Sequence, residues 1–232
     1  MNYILSDNEQ IEIVHSFPEL LNSNFHDKVN AICFERNLDG DFAEIVSKLA
    51  LKDNITEISI DDLNALKLSE NGEKAREIIL DDFEQLSNFS ALPSLNLLKN
   101  YERDDEFDFI STDVYSYHVD RSPVPSSTFL CTYYGAPSDI LANDQAVQKI
   151  LVPEIRKKLR ELFNGNDSDF ETFLIENYFD LHYQAKPNAQ PTNLGLGHLW
   201  RLEVDYPDQK TLPCVHRAPV ENDGELRLLL IC

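Results

Sequence analysis

Glycine is scarce, with 7 in 232 residues, beside a single methionine and a single tryptophan. So few glycines exclude a collagen-like or low-complexity chain. Nowhere do they form the Gly-x-Gly-x-x-Gly turn of a dinucleotide-binding parallel sheet. Basic side chains are also short, 20 Lys and Arg against 41 Asp and Glu, for a net charge of −21. Phosphate backbones and acidic lipid surfaces repel such a chain, so neither nucleic acid nor a membrane is an expected partner. No apolar run approaches the roughly 20 residues of a membrane span. Residues 1–9 have neither the basic start nor the apolar stretch of a secretory leader. Cys33, Cys131, Cys214 and Cys232 make no Cys-x-x-Cys pair and no dense framework, which points to reduced thiols and a cytoplasmic location.

What is present is ordinary for a globular protein: 42% hydrophobic and 26% charged residues, in a chain long enough to bury a real core. The acidity is uneven. Residues 1–110 carry 24 acidic and 9 basic side chains, a net of −15, which leaves −6 for the remainder. Charge of this kind usually forms a solvated face.

Patterning divides the chain near residue 108. Before it, strand-like stretches at Ile11–His15, Val29–Phe34 and Ile55–Ile60 alternate with helical periodicity at Phe42–Leu49 and Glu73–Phe89. Residues 1–108 therefore read as an α/β part packed on a core. The charged run Lys99–Asp108 is a loop. Beyond it, Phe109–Asp120 and Ser127–Tyr134 are rich in β-branched and aromatic residues and predict strands. Helices are expected at about Asp144–Phe163 and Asp169–Tyr183, within an insert spanning 144–195. Strands return at His198–Val204, Cys214–His216 and Leu226–Cys232, with a turn at Asn222-Asp-Gly224. The expected class is α+β, with a jelly-roll core in residues 109–232, built mainly from 109–137 and 196–232 and surrounded by helices.

Tyr117-His-Val-Asp120 carries the sharpest local chemistry. In His-x-Asp on a strand both side chains point to one face, so His118 and Asp120 can grip one ion from neighbouring corners. His216, at the end of a later strand, supplies a second imidazole. Two histidines and a carboxylate form the facial triad of non-haem iron sites, which leaves positions open for co-substrate and O2. Arg227 opens an apolar strand and wants an anionic partner; the far carboxylate of 2-oxoglutarate is the candidate. Tyr133, on a neighbouring strand, is a candidate hydrogen-bond partner for the same co-substrate. Arg217 should point away from the ligands. Cys214 shares the parity of His216, though a thiolate suits structural zinc better than oxygen-activating iron. His15, His26, His182 and His198 have no partner pattern and read as ordinary polar residues.

His118-Val-Asp120, His216 and Arg227 together resemble the motif set of the double-stranded β-helix (cupin-like) 2-oxoglutarate oxygenases. Those enzymes place a basic residue about ten positions after the distal histidine; here the gap is 11. His216 with Pro219, Gly224 and Arg227 is most similar to the prolyl-hydroxylase ending. The resemblance implies iron(II) and 2-oxoglutarate as cofactors, and a small-molecule or peptide substrate for a hydroxylase-type dioxygenase. A second resemblance runs from about residue 29 to the end. Val29-Asn-Ala-Ile-Cys-Phe-Glu-Arg36, Tyr117–Asp120, Cys131-Thr-Tyr-Tyr-Gly-Ala-Pro137, His216-Arg-Ala-Pro219 and Arg227–Leu230 resemble an uncharacterised bacterial family, which implies a bound metal. The insert around 144–195 departs from that pattern. The alternative function is a non-enzymatic zinc-binding or metal-homeostasis protein on the same core.

Overall fold

The computed structural model describes residues 8–222 and 224–232. The leader reading of the first residues and Asp223 of the expected turn lie outside them. Strands and helices alternate at first: β1 (Ile11–Val14), α1 (Phe17–Asn22), β2 (Ala31–Phe34), α2 (Phe42–Lys48), β3 (Ile55–Ile58), α3 (Ile60–Asn64), α4 (Glu70–Asn88) and β4 (Ser94–Leu98). A loop leads to β5 (Tyr117–His118), β6 (Ser127–Tyr134), β7 (Asp139–Leu141) and β8 (Ala146–Gln148). Then come α5 (Pro153–Leu162), α6 (Phe170–Glu176), β9 (His182–Ala185), β10 (Thr192–Asn193), β11 (Leu199–Glu203), β12 (Val215–Arg217) and β13 (Arg227–Ile231). The fold is mixed α+β.

Among the described residues the strands form two sheets. The larger has the order β1-β2-β11-β6-β13-β4-β3 and the smaller β10-β7-β12-β5-β9-β8. All pairings within them are antiparallel except that of β1 with β2. The larger sheet is buried on both faces. Its outer face carries Leu95, Leu97, Phe129, Cys131, Tyr133, Leu228 and Leu230, and α4 covers it with Ala75, Ile79 and Leu86. Its inner face, with Leu98, Leu130, Trp200, Leu202 and Leu229, meets Ile140 and Cys214 of the smaller sheet. The smaller sheet turns Tyr117, Val119, Leu141 and Val215 outward into a separate cluster.

Several sequence expectations change. The larger sheet crosses the boundary expected at residue 108, because β4 pairs with β13 along Ser94–Leu98. Phe109–Asp120 yields only the short β5; Asp113 ties the segment into turns by accepting from the backbone N–H groups of Tyr115 and Ser116. The helix expected from Asp144 starts at Pro153, because the residue before proline avoids helical backbone, and Val152 is extended (φ −77°, ψ 118°). The helix expected to reach Tyr183 stops at Glu176. Tyr178 then takes a left-handed conformation, φ 59°, and the chain runs on into β9. The insert thus contributes three strands, β8, β9 and β10, to the smaller sheet.

The four cysteines are free thiols. No helix among the described residues is long and apolar enough to cross a membrane.

Candidate metal centre

His118 and His216 face each other across the antiparallel pair β5–β12, where they are direct partners in register. Their ring centroids are 4.4 Å apart. Asp120 follows two residues after His118 and so returns to the same face. Its Oδ1 lies 3.9 Å from His118 Nε2 and its Oδ2 lies 3.6 Å from His216 Nε2. One ligand atom from each residue falls within 4.8 Å of the other two. Two ligands bonded at about 2.1 Å to one ion from adjacent corners sit about 3 Å apart. Each of the two measured pairs closes to that distance with a movement under about 1 Å.

The backbone fixes which imidazole nitrogen is free. His118 Nδ1 sits 2.7 Å from the carbonyl of Ser116, and His216 Nδ1 sits 3.1 Å from that of Cys214. A carbonyl only accepts, so each Nδ1 carries the hydrogen and each neutral ring keeps its lone pair on Nε2. Those are the atoms that converge on Asp120. Burial, reinforced by the neighbouring His216, pushes His118 down to about 4, so its ring is neutral near pH 7 and available as a ligand. Burial opposes ionisation of Asp120. The His216 ring, a hydrogen bond from the Thr128 hydroxyl and the His118 ring together outweigh that and hold its carboxyl below the ordinary value. Thr128 belongs to β6 of the larger sheet, so this bond ties the triad to the opposite layer.

Arg227 enters the same intersheet space from the other layer. It is almost fully buried, with 1% of its surface exposed. Its Nη2 donates to Thr132 Oγ1 at 3.1 Å and Ser138 Oγ at 2.9 Å, and its Nη1 to Tyr101 OH at 3.4 Å. Its buried Nε has no partner. Among the described residues no carboxylate forms an ion pair with it; the nearest to act on it is Glu221, which accepts from Tyr115 OH at 2.8 Å and favours the guanidinium charge only from beyond ion-pair distance. Burial disfavours its charge and outweighs Tyr101 and Glu221, which favour it, so its pKa is lowered from the ordinary value. Asp113 accepts from the backbone of its own loop instead. Thr128 and Thr132 lie on one face of β6, four residues or about 13 Å apart, so β6 spans the interval between triad and guanidinium.

Tyr133 does not join this site. It projects from the outer face of the larger sheet, stacks on Phe42 with centroids 5.4 Å apart, and donates to Asp82 Oδ2 at 2.6 Å. Asp82 also pairs with Arg36, at 2.5 Å, so the tyrosine belongs to a buried ionic network under α4. Cys214 lies in the apolar intersheet cluster, where burial raises its thiol pKa; a thiol so placed is a poor ligand. Arg217 points outward as expected, pairs with Asp139 at 3.0 Å and stacks over Tyr117.

Sequence reasoning missed the supporting residues. Thr128, Thr132, Ser138 and Tyr101 surround the site but form no motif. His182, expected to be an ordinary polar residue, is instead buried beside the site. It is the register partner of His118 on the side away from His216, with ring centroids 6.0 Å apart. A cleft of about 700 Å³ lies elsewhere, lined by Phe25, Phe89, Phe129, Arg201 and Tyr206. Its Arg201 is already engaged by the carbonyls of Leu21 and Ser23.

Comparison with models of known protein families, with characterised proteins and with solved structures returned no match.

Proposed function

We propose that this chain is an iron(II)- and 2-oxoglutarate-dependent oxygenase of the hydroxylase type, acting on a small molecule or a peptide. The buried, carboxylate-free fork of Arg227 carries the reading. A guanidinium removed from water with no anion in contact, Glu221 acting only from a distance, is costly unless a ligand supplies the missing charge. A protein that only stores or is braced by zinc has no use for such a group. Arg227 lies between the same two sheets as the triad, and 2-oxoglutarate has a carboxylate at each end to meet both.

The strand order supports a double-stranded β-helix core. Numbered in chain order, β4, β5, β6, β7, β10, β11, β12 and β13 become strands one to eight. The larger sheet then reads 6-3-8-1 and the smaller 5-4-7-2, the pairing of two interlocked Greek keys.

His118, Asp120 and His216 would hold the ion, and three protein ligands leave coordination positions for a co-substrate. Iron held there would, with 2-oxoglutarate and O2, supply a hydroxylation that turns the keto acid into succinate and CO2 as a C–H bond gains a hydroxyl. The protein's own residues orient. The carbonyls of Ser116 and Cys214 lock the imidazole tautomers, Thr128 steers Asp120, and Thr132, Ser138 and Tyr101 aim the guanidinium.

Anaerobic calorimetry of the iron(II)-loaded protein with 2-oxoglutarate tests the reading, run beside Arg227→Ala and followed by succinate assays in air. The expected result is a metal content unchanged by the substitution and 2-oxoglutarate affinity weakened roughly 30-fold or more, the cost of removing one partner of a buried charge pair. Tight metal binding with no 2-oxoglutarate affinity in the unsubstituted protein would reject the oxygenase and favour the zinc alternative.

A further inference from the structure

The smaller sheet presents a row of polar groups on its inner face. From β12 across β5 to β9, the register partners are His216, His118 and His182. The row continues towards Lys149, which directly follows β8, the strand paired with β9 on its far side. Lys149 Nζ donates to Ser116 Oγ at 2.7 Å and Ser111 O at 3.4 Å, both uncharged. The nearby carboxylates are engaged by their own loop: Asp104 accepts from Thr112, and Asp113 from Asp104, Tyr115 and Ser116.

His182 is 5% exposed, and its buried Nδ1 has no hydrogen-bond partner. The contrast with its neighbours is informative. His118 and His216 both commit Nδ1 to a backbone carbonyl and offer Nε2 to the ion, whereas His182 leaves Nδ1 uncommitted and lies beyond the ligand cluster. An unpartnered buried ring nitrogen is costly unless something docks against it.

We propose that His182 contacts a ligand of the metal centre, its Nδ1–H donating to an acceptor atom of a small anion, or the anionic end of a larger molecule, bound on the side of the ion facing β9. The inference rests on the metal site but not on the oxygenase reading. Lys149 stands behind His182 and adds positive charge on the same side.

The probe is azide, a linear anion that binds open metal positions, titrated into cobalt(II)-loaded protein and followed by visible absorption. Three proteins are compared: unsubstituted, His182→Ala and His182→Asn. Asparagine carries an N–H near the position of Nδ1, so it separates the donor from mere bulk. The expected result is unchanged cobalt content in all three, azide affinity weakened roughly tenfold or more in His182→Ala, and recovery to within about threefold in His182→Asn, as for a hydrogen bond to a charged group. Equal azide affinity in His182→Ala, or an asparagine variant as weak as the alanine one, overturns the proposal. So does loss of cobalt from the variants, which would make His182 a ligand of the ion itself. Failure of the unsubstituted protein to take up cobalt is a separate result, and it would overturn the metal site with this inference.

Discussion

Tyr133 and Thr132 illustrate how much a single residue of parity decides. Both sit on β6, but only Thr132 faces Arg227. The face could not be read from the sequence, because β6 is buried on both sides over Thr128–Tyr133 and shows no apolar–polar alternation. His118 and Asp120 were legible because their pairing is local: two residues apart on a strand, whatever the strand's orientation. His182 was not, since its partner His118 comes from 64 residues earlier and only the sheet register joins them. The corrected position of Tyr133 can be tested. Tyr133→Phe removes the bond to Asp82 and should destabilise the fold by about 1–3 kcal/mol in chemical denaturation, as a buried acceptor loses its donor. Its 2-oxoglutarate affinity should stay within about twofold of the unsubstituted protein. A large loss of affinity with unchanged stability would return Tyr133 to the site.

At the scale of the element, the clearest strands were those with dense β-branched and aromatic content, and Ser127–Tyr134 is observed with the boundaries its composition suggests. The insert was misread because short strands of two to four residues carry almost no periodic signal, while α5 and α6 do. Pro153 and the left-handed Tyr178 bound those helices. The turn after β6 has a steric requirement of its own. Gly135 has φ +83°, and a Cβ there would meet the Leu226 carbonyl oxygen at 2.5 Å and Arg227 Cα at 2.9 Å. The close approach sets where β13 begins and hence where Arg227 enters the intersheet space. Gly135→Ala should cost about 1–3 kcal/mol in urea denaturation, from backbone strain, and should also weaken 2-oxoglutarate binding. An alanine variant as stable as the unsubstituted protein would contradict this account of the turn.

For the whole molecule, composition, charge and motifs raise expectations about chemistry and partners, but they do not reveal how the parts join. The N-terminal part is not a separate layer. β1, β2, β3 and β4 extend the same sheet that holds β6, β11 and β13, and the Arg36–Asp82 pair ties the end of β2 to α4 beneath it. That arrangement depends on pairings between residues far apart in the chain, such as Leu199 with Phe34, which no local pattern encodes. The metal centre depends on the same kind of pairing: β5 with β12 brings His118, Asp120 and His216 together, and we propose that they hold a single divalent ion. The most direct measurement is elemental analysis after anaerobic loading with iron(II) and gel filtration, comparing the unsubstituted protein with His216→Ala and Asp120→Ala. The account predicts about one ion per chain in the first. In both variants it predicts affinity reduced at least about 100-fold, beyond what loss of a mere outer-shell partner costs, with the circular dichroism spectrum unchanged. An unsubstituted protein that retains no metal, or variants that retain as much as it does, would contradict it.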